Sequence, residues 1–415
     1  MFDRDKWSEI WVTISRNKLR SFLTMLGVSW GIFLLIAVLG MGKGLQNGTL
    51  KGFDGWATNS MFIWTMRTSM PFEGFKRGRR INFHNADIDA IKQHIEGVEI
   101  VAPRLQLGGW RGSNNIVYKN KTGAFNVYGD IPEILQIEAM RIIDGRFHHH
   151  RDLRDANKVC VIGTKVRNVL FDGTDPIGEY IKIQGVYFRV VGVFEPKASS
   201  DMGESKDAAI YIPFSTFQKA FNSLDMVHWF SITGEPGAQV SEIQDEVKLL
   251  MAKRLKVDPK DPMAFGSWNM QEMFQQMNML FIAIAGLGWF VGILTLIAGV
   301  IGVSNIMMVI IKERTKEIGI RRSIGATPGN ITGQIVLEAI TLTFVAGAFG
   351  LMAGIALLEL VNSLELEGDF FASPEVDLSV ALVALSVLIF SGLIAGYIPA
   401  RKALRINTVD ALRAE

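Results

Sequence analysis

Four long apolar runs, almost free of charge, constrain this sequence more than any other feature. Residues 22–42, 273–311 and 378–400 contain no charged side chain, and residues 331–358 contain only Glu338. A helix needs about 20 apolar residues to cross the hydrocarbon core of a bilayer, and each run is long enough. With 49% hydrophobic and 20% charged residues, the sequence predicts a polytopic α-helical membrane protein with four transmembrane helices.

The distribution of Lys and Arg predicts the orientation of these helices. Basic residues precede the first run, follow the second and follow the fourth, whereas residues 362–377 contain five acidic residues and no basic one. Lys and Arg collect in the cytoplasmic loops of membrane proteins. We therefore expect both termini of this membrane protein in the cytoplasm. A net charge of +2 gives no reason to expect a nucleic-acid partner.

The four runs imply an order of segments along the chain. We expect a cytoplasmic interfacial amphipathic helix (1–20), transmembrane helix 1 (21–43), a large extracytoplasmic domain (44–272), a long stalk continuous with transmembrane helix 2 (273–311), a cytoplasmic turn (312–330), transmembrane helix 3 (331–361), a short outer loop (362–377), transmembrane helix 4 (378–400) and a cytoplasmic tail (401–415). We call residues 312–330 the basic turn.

The segment before the first run has an amphipathic pattern. Trp7, Ile10, Trp11 and Ile14 recur at helical spacing, and two Trp on the apolar face favour the membrane interface. A helix packed on protein is the alternative. No cleavage site of small residues follows the first run, so we expect that run to stay as a membrane anchor.

The outer segment alternates between strand and helix patterns. Strand-like runs at Met61–Trp64 and Trp229–Thr233 are each followed by a helix pattern, and the second helix is expected to begin at Ser241 with Gln244 completing a capping box. Between these sets, residues 105–209 show the alternation and turn signals of β-strands. The sequence therefore predicts an extracytoplasmic α+β domain with a β-rich insert.

Chemistry-bearing residues are few. The single cysteine, Cys160, lies in an apolar strand pattern, which indicates a packing role. His148, His149 and His150 are consecutive and point in different directions, so we expect a solvated loop rather than a metal site. The sequence contains no phosphate-binding loop, zinc-protease pair or nucleophile elbow. We therefore predict no catalytic residue, cofactor site or metal site.

The second run is too long for a simple span. As one helix, residues 273–311 would extend about 58 Å, against roughly 30 Å of hydrocarbon. Its outer part carries the polar residues Gln275, Gln276 and Asn278. This pattern favours a solvent-facing stalk that joins the outer domain to the bilayer. The alternative is a bend near Gly286 or Gly288 with a re-entrant segment.

Glycines four residues apart occur in every span. Such pairs let helix backbones approach closely, although glycine is also common in membrane helices generally. We expect close helix packing at Gly27, Gly31, Gly288, Gly292, Gly350, Gly354, Gly392 and Gly396.

Glu338 lies about two turns inside the third run. A charge at such a position usually faces protein or water. We favour a structural hydrogen-bonding role for Glu338, and a proton-relay role is the alternative.

The basic turn has a helix pattern of its own. Glu317 and Arg321 are four residues apart, as are Ile320 and Ile324, so a short helix would have a charged side and an apolar side. Such a helix is suited to dock in a cleft of a partner protein. A basic helix lying on the membrane surface is the alternative.

The ends of this short helix also carry signals. Gly325 can terminate it. Thr327 followed by Pro328 is a typical N-cap and first-turn pair for the third span.

Several motifs together produce a specific resemblance. They are ERTKEIGIRRSIGA at 313–326, NKLRSFLTMLG at 17–27, DPIG at 175–178 with VVGV at 190–193, and PARKALR at 399–405 with DALRAE at 410–415. On these motifs the chain resembles the MacB/FtsX superfamily of ABC transporter permeases over nearly its whole length. The resemblance is to a MacB-like permease without a fused ATPase domain.

The resemblance implies that the basic turn holds a coupling helix that engages a separate ABC ATPase subunit. The coupling residues would be Glu313, Arg314, Lys316, Glu317, Gly319, Arg321, Arg322 and Gly325. It further implies a location in the bacterial inner membrane, with a MacB-like porter module in the periplasm. The resemblance also implies a dimer with a second permease copy or a paralogue, and two ATPase subunits that hold ATP and Mg. A membrane-fusion protein or an outer-membrane factor would be a further partner.

Permeases of this kind transmit nucleotide-driven motion through long stalk helices to their outer domains. The resemblance therefore implies ATP-driven export or extraction of a hydrophobic or peptide-like substrate. A lipoprotein-releasing permease and a non-transporting regulator of an envelope hydrolase or signalling system are alternatives. A membrane-anchored binding module without an ATPase is a further one.

Overall fold

The computed structural model of the protein describes residues 18–53, 56–108, 114–197, 206–364 and 371–404. The strands are β1 (Ser60–Thr65), β2 (Val98–Gln106), β3 (Asn114–Tyr118), β4 (Lys121–Asp130), β5 (Met140–Gly145), β6 (Val159–Gly163), β7 (Tyr180–Ile183), β8 (Val186–Pro196), β9 (Ala209–Pro213), β10 (Trp229–Gly234) and β11 (Phe265–Asn269). The α-helices are α1 (Lys18–Phe53), α2 (Asn85–His94), α3 (Ile134–Ile137), α4 (His150–Arg154), α5 (Thr164–Phe171), α6 (Phe214–Ala220), α7 (Val240–Leu255), α8 (Met270–Glu313), α9 (Thr315–Ser323), α10 (Pro328–Ser363) and α11 (Leu378–Ala403).

The chain divides into two compact units. One, the helical unit, comprises Met1–Thr49 and Met279–Glu415, and the other, the outer unit, comprises Leu50–Asn278. Four helices, α1, α8, α10 and α11, are long and apolar enough to cross a membrane. The four predicted transmembrane helices are therefore confirmed.

The surface of the helical unit is apolar, as a lipid-facing surface requires. Large side chains that would be buried in a soluble protein are more than half exposed on these helices, among them Phe22, Trp30, Phe290, Phe349 and Phe390. Inside the unit, apolar residues of α1, α8, α10 and α11 form one buried cluster. An apolar surface around an apolar interior differs from a soluble helical bundle, whose surface is polar, and is typical of transmembrane helices.

The helix α8 is the longest element. It has 44 residues and runs without interruption from Met270 to Glu313, which corresponds to about 66 Å at 1.5 Å per residue. The helix is not broken at Gly286 or Gly288. The second apolar run therefore forms one helix rather than a span with a separate re-entrant piece.

The outer unit contains an antiparallel sheet with strand order β11-β1-β10-β2. Successive side chains of β1 point to opposite faces of the sheet. Met61 and Ile63 therefore lie in the core cluster that includes apolar residues of α2 and α7. Phe62 and Trp64 point to the opposite face of the sheet, into a second cluster. Helices on one face and strands in one layer make this part of the domain α+β, as predicted.

The β-rich insert closes on itself. Strand pairing runs β4-β3-β7-β8-β6-β9, and a parallel pairing between β9 and β4 completes the ring. Closure leaves no free edges within the ring. The hairpin between β7 and β8 turns at Gln184 and Gly185, whose φ angles are 44° and 91°, the left-handed conformation that a two-residue hairpin turn requires. The turn signals predicted within residues 105–209 are confirmed at this hairpin.

The capping box predicted at Ser241 is wrong. Helix α7 begins at Val240, and its N-cap residue, Gln239, makes no side-chain capping bond. The Val240 N–H instead donates to Gln271 Oε1 at 2.8 Å. The cap comes from a residue distant in sequence, so no local pattern could reveal it.

The solvated loop predicted at the three histidines is also wrong in part. His148 is fully buried, its Nε2 lies 3.1 Å from the Asp130 carbonyl oxygen, and burial lowers the pKa of its ring to about 3. His149 forms a capping box with Asp152 at the start of α4, and His149 and His150 are both exposed. Among the residues that the structure describes, no group of three or more His, Cys, Asp or Glu could hold a metal ion.

Cys160 is fully buried in β6, and burial raises the pKa of its thiol. The packing role that its sequence context indicated agrees with this position.

Some predicted segments lie outside the described residues. They are residues 1–17 of the amphipathic helix, residues 365–370 of the outer loop and residues 405–415 of the tail.

Candidate functional site

The basic turn holds a short helix bounded by local capping. Arg314 alone separates α9 from α8, and the Thr315 hydroxyl donates back to the Ile311 carbonyl oxygen at 3.1 Å. Gly325, at φ 103°, ends the helix, and the Ala326 N–H donates to the Arg321 carbonyl oxygen. The chain changes direction at Gly325 because glycine readily adopts the left-handed conformation that ends a helix.

The N-cap of α10, the third transmembrane helix, lies directly after this turn. Thr327 is the N-cap of α10 and its side chain accepts a hydrogen bond from the Asn330 N–H, with Pro328 in the first turn. The predicted stop at Gly325 and start at Thr327 are both confirmed.

Three charged side chains form a network on α9. Arg314 donates twice to Glu317, from Nε at 2.8 Å and from Nη2 at 3.0 Å. Arg321 Nη2 lies 2.8 Å from Glu317 Oε1, as the i,i+4 spacing predicted. Glu317 therefore bridges two arginines, and bidentate pairing fixes the guanidinium of Arg314 in one orientation.

The same arginines fasten α9 to the membrane helices. Arg314 Nη1 lies 3.5 Å from Glu338 Oε2 in α10, and Arg321 Nη1 donates to Gln334 Oε1 at 2.8 Å. Arg322 Nη1 donates to the Leu404 carbonyl oxygen, just after α11, at 3.2 Å. Side-chain hydrogen bonds and one ion pair therefore join α9 and its N-cap residue Arg314 to α10 and to the residue after α11.

The outward side of α9 differs from the side that holds the network. Ile318 and Gly319 are buried, whereas Ile320 is 42% and Ile324 is 82% exposed. Lys316 and Glu313 are also exposed. The geometry leaves the apolar side open while arginines 314, 321 and 322 have partners within the chain. The docking role of the eight coupling residues stays a prediction.

All predicted packing glycines except Gly27 lie against a neighbouring helix. A methyl group added at any of the other seven would lie 3.0 Å or less from an atom of another helix. Gly31, Gly288 and Gly292 are at the contact of α1 with α8, Gly350 and Gly354 at that of α1 with α10, and Gly392 and Gly396 at that of α10 with α11. Gly27 has nothing within 4 Å of such a methyl group.

The predicted stalk residues Gln275, Gln276 and Asn278 are exposed on α8. The first turn of α8 is fastened to the N-terminus of α7. Asn269 Oδ1 accepts from the Glu272 N–H at 3.0 Å and its Nδ2 donates to Ser241 Oγ at 3.1 Å. Gln271 adds the cap on Val240. Helix α8 therefore starts as an integral part of the outer unit.

A buried ionic cluster in the outer unit was not predicted from the sequence. Arg104 is only 5% exposed, and its Nε and Nη1 donate to Asp130 at 2.9 Å and to Glu138 at 2.7 Å. Burial opposes the charged guanidinium, but the two carboxylates raise the pKa of Arg104 above its ordinary value. Burial likewise opposes ionised Glu138, and Arg104 and Lys206 outweigh it and lower the pKa of Glu138. A lone Arg inside the apolar strand β2 was the available signal.

Comparison with known proteins agrees with this architecture. A model of the MacB-like periplasmic core domain matches residues 21–250, and a model of the FtsX-like permease C-terminal domain matches residues 289–408. Four spans, a basic turn between the second and third, and a large domain between the first and second define a permease. The chain belongs to the family of ABC transporter permeases with a MacB-like periplasmic core domain and an FtsX-like C-terminal domain.

Individual relatives extend over almost the whole chain. The macrolide export ATP-binding/permease protein MacB of Bdellovibrio bacteriovorus is 31% identical over 97% of this chain and 60% of that protein. The pyoverdine export ATP-binding/permease protein PvdT of Pseudomonas aeruginosa is 28% identical over 99% of this chain and 58% of that protein. The chain therefore spans about three fifths of the length of these relatives. The periplasmic region of MacB from Actinobacillus actinomycetemcomitans matches with a TM-score of 0.43 at 18% identity, covering 55% of this chain and 95% of that one.

Proposed function

We propose that this chain is the permease subunit of an ABC transporter in the bacterial inner membrane, with both termini in the cytoplasm. It couples ATP hydrolysis in a separate ATPase subunit to motion of its periplasmic domain and so drives export or extraction of a hydrophobic or peptide-like substrate. Two ATPase subunits, which hold ATP and Mg, serve a dimer of permeases. The chain itself supplies no catalytic residue and no cofactor. A membrane-fusion protein or an outer-membrane factor receives the substrate.

The observation that carries this proposal is the continuity of α8. Asn269 and Gln271 fasten its first turn to α7, and Arg314 alone separates its last residue from α9. A continuous helix can carry a displacement along its axis only while its hydrogen-bond ladder is intact. The names of two relatives, for macrolide export and for pyoverdine export, favour export over lipoprotein release or the regulation of an envelope enzyme.

The docking surface on α9 is the exposed apolar side. Ile324 is 82% exposed, whereas Arg321 and Arg322 have partners within the chain. We therefore expect Ile324→Glu to abolish co-purification of the ATPase subunit, because a charge at an apolar contact is left desolvated. Leu364→Glu, at a residue that is 59% exposed after the far end of α10, is the matched control and should leave co-purification unchanged. Full co-purification of the Ile324→Glu variant would place the docking site elsewhere.

The coupling role of α8 is tested with Gln276→Pro. Proline removes a helix hydrogen bond and clashes with the preceding turn, at a cost of about 3 kcal/mol. Gln276 is exposed, so Gln276→Ala is a matched control that keeps the helix. The readout is the distance between spin labels on Lys253→Cys in the two permeases of the purified complex, in a Cys160→Ala background, with and without ATP.

We expect ATP to change this distance in the parent complex and in the Gln276→Ala variant. In the Gln276→Pro variant the complex should still hydrolyse ATP while the distance no longer responds. An unchanged response in the proline variant would contradict transmission through α8. Stimulation of ATP hydrolysis by a macrolide or by pyoverdine would distinguish a transporter from a regulator.

A further inference from the structure

The outer unit contains a cavity of about 580 Å³ on the sheet face opposite α2 and α7. Roughly 300–1,000 Å³ is the usual size of a site for a small organic ligand. Four indole rings line the cavity, those of Trp56, Trp64, Trp229 and Trp268. Trp56, Trp64 and Trp268 sit in or beside the edge of the sheet and are only partly buried. Four indole rings around one cavity indicate a binding site for the apolar part of a ligand.

The floor of the cavity is the buried Arg104 cluster. The Arg104 guanidinium uses Nε on Asp130 and Nη1 on Glu138, and its face lies over the Tyr128 ring at 5.0 Å. Its remaining nitrogen, Nη2, is buried and has no hydrogen-bond partner among the residues that the structure describes. A guanidinium that two carboxylates hold in place and that has one unpaired nitrogen can still donate a hydrogen bond to an acceptor.

Two further hydrogen-bond donors at the cavity are also buried and unpaired. The amide Nε2 of Gln106 and the indole Nε1 of Trp56 are buried, line the same cavity and have no partner within the described part of the chain. Buried polar groups are almost always hydrogen-bonded. All three unpaired groups are hydrogen-bond donors, so a ligand that pairs with them must offer acceptor atoms.

The charged side chains around the cavity also favour an anionic ligand. Arg67, Arg80, Arg104 and Lys206 line it against the single carboxylate of Glu138. The Lys206 ammonium lies 3.9 Å from Glu138 and over the Trp56 ring at 3.3 Å. Arg67 and Arg80 are exposed at the mouth, on two neighbouring extended segments. These four basic groups outnumber the two carboxylates, Glu138 at the cavity and Asp130 beside Arg104. An excess of positive charge at the entrance attracts anions.

We propose that this cavity binds an amphipathic organic carboxylate, with its apolar body between the Trp rings and its carboxylate on the open donors of Arg104, Gln106 and Trp56. The identification of this ligand as the transported substrate rests on the proposed export function, whereas binding itself does not need the ATPase subunit. The free carboxyl end of a hydrophobic peptide and a small aromatic acid both have this chemistry.

The test measures binding to the full chain in lipid nanodiscs by titration calorimetry, with empty nanodiscs subtracted. The probes are 1-naphthaleneacetate and the peptide acid N-acetyl-Phe-Trp, each compared with its carboxamide. We expect each acid that binds to bind at least tenfold more tightly than its amide, because only the carboxylate pairs with the guanidinium. Binding of the peptide acid alone would identify a peptide end as the ligand, and binding of the naphthyl acid alone would identify a small acid.

Two pairs of variants locate the binding site without removing Arg104, whose loss would leave Asp130 and Glu138 buried without their counter-charge. Reversing both mouth residues, Arg67→Glu with Arg80→Glu, should weaken acid binding roughly tenfold at low salt and leave amide binding unchanged. Arg189→Glu with Lys253→Glu reverses two exposed charges of the same unit outside the cavity and should have no effect.

The second pair fills the cavity without changing charge. Asn126 in β4 lines the cavity, and Asn126→Trp should abolish binding of both acid and amide. Thr122→Trp, four residues earlier on the same strand and exposed, is the matched control and should bind normally.

Several results would overturn the proposal. They are no acid binding to the parent chain, equal affinity of acid and amide, or equal effects of Asn126→Trp and Thr122→Trp. The outcome is separable from that of the proposed function. Acid binding by a chain that recruits no ATPase would refute export and keep the site, whereas an ATP-responsive complex that binds no acid would refute the site and keep export.

Discussion

At the scale of single residues, the pairing of Arg314 with Glu338 has the largest consequence. Glu338 is buried inside a transmembrane helix, and Arg314 Nη1 lies 3.5 Å from its carboxylate. A charge in this environment requires a counter-charge. The residue that tethers α9 therefore also neutralises Glu338, which supports the structural role over a proton relay.

We expect Arg314→Met to destabilise the helical unit by about 3 kcal/mol, because breaking a buried pair leaves one charge uncompensated. Arg314→Met combined with Glu338→Gln should recover most of that loss. Glu317→Gln, which removes the more exposed pairings of Glu317 with Arg314 and Arg321, is the control and should cost about 1 kcal/mol or less. Melting temperatures in nanodiscs measure all three, and equal destabilisation of the single and double variants would show that the two residues act independently.

Lys206 predicts a pH dependence of the cavity. Burial lowers the pKa of Lys206 to about 8, which the neighbouring Glu138 opposes and Arg104 reinforces. Arg67, Arg80 and His228 also line the cavity, and burial lowers the pKa of His228 so that its ring is neutral in this range. As the pH rises through about 8, the ammonium loses its proton and the cavity loses one positive charge.

We therefore expect the affinity for 1-naphthaleneacetate to fall roughly three- to tenfold between pH 7 and pH 9. Lys206→Arg keeps the charge at both pH values and should remove most of this dependence. The same calorimetric titration provides the measurement. A pH profile that is identical in the parent and in Lys206→Arg would mean that Lys206 does not contact the ligand.

At the scale of elements, small residues decide how closely the spans approach. A methyl group at Gly350 in α10 would collide with the Ser29 carbonyl oxygen and the Ile32 side chain of α1. A backbone atom cannot rotate away, so the two helices would have to separate. Gly27, in α1, has the same residue type and spacing pattern but open space around it.

We expect Gly350→Ala to lower stability by about 1–3 kcal/mol, the usual cost of overpacking. Gly27→Ala should be neutral or slightly stabilising, because alanine favours helix by about 1 kcal/mol over glycine. Thermal unfolding of both variants tests this difference. Equal melting temperatures would mean that the α1 and α10 contact adapts without cost.

The two helix starts show which element boundaries are predictable. The start of α10 was predicted correctly because Thr327, Pro328 and the Asn330 N–H, which donates to the Thr327 side chain, all lie within four residues. The start of α7 was predicted wrongly because Gln271, which caps Val240, lies 31 residues away. Capping by a distant side chain leaves no trace in the local pattern.

At the scale of the whole molecule, the arrangement of charge predicts a topology that labelling can measure. Single cysteines replacing Lys316 and Glu375, both exposed, in a Cys160→Ala background should react oppositely with a membrane-impermeant maleimide added to intact cells. The cysteine at 375 should be labelled, because its loop is acidic and expected outside, and the one at 316 should be protected. Labelling of both from outside would contradict four spans with cytoplasmic termini.

The sequence by itself determined the spans and the local turns of this protein. Uncharged runs of sufficient length leave no alternative to membrane helices, since a bilayer core cannot satisfy an exposed backbone. Gly325 and the Gln184–Gly185 turn likewise act through their own φ angles. These features depend on residues close together in the chain.

Only the tertiary structure decided the features that join distant residues. The pairing of β9 with β4 closes the insert, and the burial of His148 overrides its polar sequence context. Arg104, Glu138 and Lys206 come from separate segments and meet at one cavity. Their charges are tolerated in the interior because each has a partner there, and no pattern within one segment can reveal a partner that another segment supplies.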